Sequence, residues 1–138
     1  MKQLSIFIVA LFLALSLNTT SMAGFFSAEA LATAETFITT IDSGDLQQAY
    51  FDSSELLKLR NSEQEWVTEQ ELIFKLLGTV QERQLMTVRA RDSYPGLPDG
   101  NYLVVSYECR TQHKAKAIEL LLLIEQGEEW RVCEYSIR

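Results

Sequence analysis

Histidine, cysteine and proline are all scarce in this chain, and each scarcity closes off a chemistry. The one histidine is His113. It falls in an expected turn with no carboxylate at metal-ligand spacing, so a zinc site has nothing to build on and no metal is expected. A nucleophilic triad through His113 needs a positioned nucleophile and carboxylate that no spacing indicates, and a solvated turn residue accounts for it. No G-x-S-x-G elbow, P-loop or G-x-G-x-x-G run occurs. Hydrolase-elbow, nucleotide and dinucleotide readings therefore lack support, and no cofactor is expected. Positive charge is also short: 12 Lys and Arg against 19 Asp and Glu give a formal net charge of −7. An acidic surface repels nucleic acid and anionic lipid, so neither is an expected partner.

One long apolar run is present, and it lies at the start. Lys2 supplies a positive n-region, residues 4–17 are apolar apart from small or polar serines, and Ser21 and Ala23 place small residues at the positions an export peptidase reads. That pattern is a secretory signal, too short and wrongly flanked for a transmembrane anchor. No cysteine stands near the cut, which sets the lipoprotein reading aside. The expectation is a signal peptide over 1–23 and a mature chain from Gly24, periplasmic or secreted and without a membrane anchor. Residues 24–138, about 115 in number, suit one α+β domain with one core.

Within that span, helices come first. Ser27 can cap a helix to about Ile41, with Leu31, Ala34, Ile38 and Ile41 at helical spacing and Gly44 as the stop. Residues 46–59 read as one or two short helical pieces. Ser62 and Glu65 form a capping box for a helix that buries Trp66, Val67, Gln70, Ile73, Phe74 and Leu77 and ends at Gly78. Then the period changes. Residues 84–92, 102–110, 115–125 and 129–137 read as strands, separated by the loop 93–101, which holds both prolines and Asp99-Gly100, and by turns at 111–114 and near Gln126-Gly127. Helices followed by an antiparallel meander mean α+β.

Turn lengths give a register. A four-residue turn at 111–114 pairs Val105 with Leu120, the next turn pairs Leu120 with Cys133, and Val88 falls beside Val105. The face for the helices to cover then holds Val88, Leu103, Val105, Tyr107, Leu120, Leu122, Cys133, Tyr135 and Ile137. The outer face holds Arg89, Arg91, Tyr102, Val104, Glu119, Leu121, Leu123, Trp130, Val132 and Glu134. Glu119 and Glu134 stand opposed there, which destabilises unless Arg89 and Arg91 neutralise them. A solvated charge network is the plain account. The sharper one is an interaction face, because Tyr102, Val104, Leu121, Leu123 and Trp130 give it more apolar area than an idle surface needs. Cys109 and Cys133 lie on strands separated by a third, roughly 10 Å apart and beyond disulfide reach, so both are expected to be free.

The block Leu97-Pro98-Asp99-Gly100-x-Tyr102, with Tyr107, Lys114, Glu119 and Trp130-Arg131-Val132-x-x-Tyr135-x-Ile137-Arg138, resembles a bacterial exported family, the domain of unknown function numbered 4019. Trp66, Leu77-Gly78 and Arg83 fit the same pattern, while Cys133-Glu134 departs from it. The resemblance implies a fold similar to nuclear transport factor 2, helices packed into a curved four-stranded antiparallel sheet that forms a cone with a pocket. It implies no established activity, since this fold serves enzymes and binding modules alike.

Two functions follow as expectations. One is a non-catalytic binding or interaction module using the sheet face or the cone pocket, its partner a second copy of the chain or another exported protein. The other is a small-molecule enzyme, isomerase- or hydrolase-like, acting in the cone interior with Tyr107 and Tyr135 as polar handles. The missing catalytic constellations favour the first, whereas an inward-facing carboxylate from the helices, such as Asp52 or Glu55, would favour the second.

Overall fold

A computed structural model describes the backbone of residues 22–138 and side chains from residue 28 onward. The expected signal segment lies outside the described residues except for its last two positions. Four helices precede four strands: α1 (Met22–Asp42), α2 (Leu46–Asp52), α3 (Glu55–Arg60), α4 (Glu63–Leu77), then β1 (Val80–Arg91), β2 (Tyr102–Thr111), β3 (Ala117–Gln126) and β4 (Glu129–Ile137). The strands form one open antiparallel meander in the order β1-β2-β3-β4, so the α+β class stands as expected from the change of period.

α1 begins at Met22, so Ser27 is an internal helical residue rather than its cap. The start of α4 matches its sequence signature. The Ser62 hydroxyl accepts from the Glu65 backbone N–H, and the Glu65 carboxylate accepts from the Ser62 N–H. Those contacts hold the Glu65 pKa below the ordinary carboxylate value. A lowered folded pKa means full stabilisation above the unfolded value and loss as pH falls through the folded one. Loss of the N-cap hydroxyl in Ser62→Ala should lower stability by about 1 kcal/mol at neutral pH, and the difference in urea midpoint between variant and wild type should shrink in acid.

Gly78 ends α4 for two physical reasons. Its φ is +74°, and a Cβ there would stand 2.6 Å from Cβ of Gln112. The β2–β3 turn packs that closely because the N–H groups of Gln112 and His113 donate to the carbonyls of Thr79 and Leu77. The turn is thereby held as a five-residue connection between Thr111 and Ala117, one residue longer than turn chemistry alone suggests.

That extra residue reverses a whole strand. Val88 pairs with Val105, as expected, but Val105 pairs with Leu121 and Ser106 with Leu120. The period of two then carries Glu119, Leu121 and Leu123 to the helix side and Leu120 and Leu122 to the other. On β4 the register shifts between its pairings with Leu122 and Leu123, so Cys133 is the extra residue of a bulge. The bulge leaves Tyr135 and Ile137 on the helix side as expected, places Trp130 and Val132 there as well, and puts Cys133 on the opposite face.

The main core lies between the four helices and this inner face, with Phe37, Ile38, Ile41, Leu57 and Trp66 against Val105, Leu121, Leu123, Val132 and Tyr135. A second cluster sits on the outer face, where Tyr102, Leu122 and Cys133 are buried beneath Leu56, Tyr94 and Leu97. The loop 93–101 thus folds over the sheet, and the Tyr102 hydroxyl donates to the Pro98 carbonyl inside it.

Candidate functional site

The interior contains a charged network that the sequence register hides. Glu119 is fully buried on β3. Its Oε2 accepts from Arg83 Nε at 2.5 Å, and its Oε1 accepts from Arg83 Nη2 at 3.2 Å and from the Tyr135 hydroxyl at 2.8 Å. The Cys109 thiol donates to Oε2 at 3.6 Å. The far edge of the Arg83 guanidinium forms a two-point contact with Asp42, Nη1 to Oδ2 at 2.9 Å and Nη2 to Oδ1 at 3.1 Å. Arg83 therefore ties β1 to the last residue of α1 and to the start of β3. Burial opposes its charge, but the hydrogen bonds and negative charges of Asp42 and Glu119 outweigh that, and its pKa is raised.

This geometry decides what the interior can do. Burial, then the adjacent Glu119 charge, raises the pKa of Tyr135, so at neutral pH it is a neutral phenol committed to one carboxylate. Tyr107 is raised as well, chiefly by burial and then by Glu35 and Glu119. Both tyrosines of the expected pocket do face inward, into the main core. The Glu119 carboxylate already accepts from donors on both of its oxygens.

The expected interaction face divides. Glu119, Leu121, Leu123 and Trp130 belong to the helix-covered side, a correction that follows from the five-residue turn and the Cys133 bulge. Arg89, Arg91, Tyr102, Val104 and Glu134 remain on the outer face, with Tyr102 only 1% exposed because the loop 93–101 covers it. The opposition of Glu119 and Glu134 does not occur, since Glu134 pairs with Leu122.

What the outer face keeps open is a groove of about 520 Å³ beside that loop, with Arg89, Arg91 and Tyr94 on its walls and Val104, Ser106 and Leu120 on its floor. Thr87 and Ser106 share a hydrogen bond across β1 and β2 at its end. Among the described residues neither Arg89 nor Arg91 meets a carboxylate, whereas Arg83, Arg110 and Arg131 all do. A second cleft, of about 440 Å³, opens between α1 and β4 with Thr33, Thr36, Phe37, Asp52 and Trp130 in its lining. Its threonine hydroxyls on α1 already donate to carbonyls one turn back.

With this geometry in view, a family match covers most of the chain: the family described as "Protein of unknown function (DUF4019)" matches residues 33–135. The chain belongs to the DUF4019 family. No curated protein matches it. The match spans Asp42, Arg83, Glu119 and Tyr135 together with the groove arginines. Arg83, Glu119 and Tyr135 are among the residues that carried the resemblance in sequence, and that was the signal available for finding the network. Asp42 carried none, being one of several acidic residues near a helix end.

Both cysteines are free thiols, buried on opposite faces of the sheet. Burial, then the Glu119 charge, pushes Cys109 up to about 11, and burial pushes Cys133 up to about 12. The thiolate is the reactive form. Thiol reagents at neutral pH should therefore label the native protein very slowly and take both sulfurs after denaturation without reductant. Rapid native labelling, or only trace labelling of the denatured form, would contradict this placement.

Proposed function

We propose that the protein is an exported, non-catalytic binding module with a nuclear transport factor 2-like fold, and that it recognises its partner on the outer face of the sheet. The observation that carries this reading is the contrast between two charged sites. Glu119 is an inward carboxylate of the kind a catalytic interior requires, but Arg83, Tyr135 and Cys109 occupy both of its oxygens. Arg89 and Arg91, by contrast, stand without acidic partners over an apolar floor in an open groove. A spent interior and an unspent surface favour binding over turnover. The surviving charge pattern also favours an acidic partner over a second copy of the chain, because the self-complementary contact between copies loses Glu119 from its acidic side.

Export rests on the 1–23 signal pattern. A cut before Gly24 would remove only the first two residues of α1 and leave the charged network untouched. N-terminal sequencing of the protein from its native host should read from Gly24, and recovery from the cytoplasm with Met1 intact would overturn that part of the proposal. For the binding part, amide shifts should be mapped with a panel of small carboxylates and amines. The expected perturbations fall on Arg89, Arg91, Val104 and Leu120 with the acids alone. Perturbations centred on Tyr107 and Glu119, or chemical conversion of a panel member, would favour the enzyme reading instead.

A further inference from the structure

The two edges of the sheet are treated differently. Along β4, α3 closes the edge: the Ser54 N–H donates to the Val132 carbonyl, and Arg60 Nη2 donates to the Cys133 carbonyl at 2.6 Å. Along β1, among the described residues, no backbone group takes a partner beyond β2. An edge strand left in that state is a template for another strand. The bulge at Met86 interrupts the edge midway, but the following run is regular, with Thr87 to Arg91 pairing Ser106 to Tyr102 residue by residue.

The two faces of that run differ in chemistry. On the inner side lie Val88 and Ala90, preceded by Leu85. Leu85 and Val88 are 44% and 38% exposed. On the outer side lie Thr87, Arg89 and Arg91. The two arginines are two residues apart on one strand, a separation of about 6.5–7 Å, which matches the spacing of alternate side chains on any neighbouring strand.

We infer that the free edge of β1 accepts an extended segment of a partner protein by strand addition, and that this segment alternates acidic and apolar residues. Its backbone would satisfy the open amides and carbonyls of Thr87 to Arg91. Its carboxylates would lie over Arg89 and Arg91 on the outer face, and its apolar side chains would extend the Leu85–Val88 strip on the inner face. Main-chain pairing supplies affinity in this mode, and the alternate side chains supply selection. A chain of net charge −7 that leaves two arginines unpaired at one edge favours an acidic segment from a different protein over self-association. This inference rests on the binding-module reading and specifies where and how the partner lies.

The test uses the mature protein with a short synthetic peptide of alternating glutamate and valine, its counterpart with lysine for glutamate, and a third with the glutamate sequence but alternate amides N-methylated. The glutamate peptide should bind and slow hydrogen exchange at those amides of Thr87 to Arg91 that point away from β2. The N-methylated peptide should lose that protection. In the Arg89→Glu/Arg91→Glu variant, affinity for the glutamate peptide should fall roughly tenfold or more, with preference passing to the lysine peptide. Both residues are exposed, so the variant keeps the core intact. Binding without edge protection, protection unaffected by N-methylation, or no binding of any peptide would overturn strand addition. The small-acid shift map is independent of all three peptides, so a failure here is distinguishable from a failure of the binding-module reading.

Discussion

Replacing Arg83 by methionine is expected to lower the stability of the protein by about 3–5 kcal/mol. The reason lies in what the substitution leaves behind. Glu119 is 0% exposed, and Arg83 is the cation that meets it. Without Arg83 the Tyr135 hydroxyl and the Cys109 thiol are its remaining donors, and neither carries charge. A buried carboxylate with its cation removed retains the cost of leaving water and loses the attraction that offset it. Glu119→Gln should cost less, about 1–3 kcal/mol, because the buried group becomes neutral while Arg83 keeps Asp42. The double variant Arg83→Met/Glu119→Leu should recover much of the loss, since apolar groups of similar volume commonly replace a buried pair without penalty. Urea midpoints for Arg83→Met, Glu119→Leu and the double variant close a double-mutant cycle, and a coupling energy above about 2 kcal/mol is expected. If Arg83→Met unfolds within about 1 kcal/mol of wild type, Glu119 is not the enclosed charge described above.

The parts of the fold legible in the sequence were those set by local chemistry. The α4 capping box needs only Ser62 and Glu65 three residues apart, and the helix-to-strand change of period shows itself over a dozen residues on each side. The glycine that ends α4 was legible as a stop signal. Its second role, admitting Gln112 to 2.6 Å, was not, because that contact joins distant parts of the chain. The register failed for the same reason. Whether the β2–β3 connection holds four residues or five is decided by hydrogen bonds from Gln112 and His113 to Thr79 and Leu77, groups more than thirty positions away. Hydrophobicity could not arbitrate, since residues 120–124 are apolar on both faces and either phase buries leucines. A continuous apolar run of this kind marks a strand covered on both sides, and β3 is such a strand, with helices over Leu121 and Leu123 and the loop 93–101 over Leu122. Glu119 in the same strand could have served as the arbiter, had Arg83 been placed opposite it.

Leu121→Lys should therefore unfold the protein, while Leu120→Lys should leave it folded, the opposite of what the four-residue turn predicts. Leu121 is fully buried, pairs with Val105 and Tyr135, and lies in the main core. Truncating a core leucine costs about 2–5 kcal/mol in lost transfer and cavity terms. An ammonium in its place adds several kcal/mol of desolvation, with Glu119 already neutralised by Arg83. The sum, more than about 5 kcal/mol, reaches the whole stability of a small domain. Leu120 sits next to it in sequence but faces the groove, half-buried and opposite Ser106. A lysine there can lay its methylenes on Val104 and carry its charge into solvent, at a cost of about 1 kcal/mol or less. Far-ultraviolet circular dichroism and a urea titration of the two variants give the answer directly. A folded Leu121→Lys beside an unfolded Leu120→Lys would restore the four-residue turn, return Glu119 to the surface, and remove the contrast on which the binding reading stands.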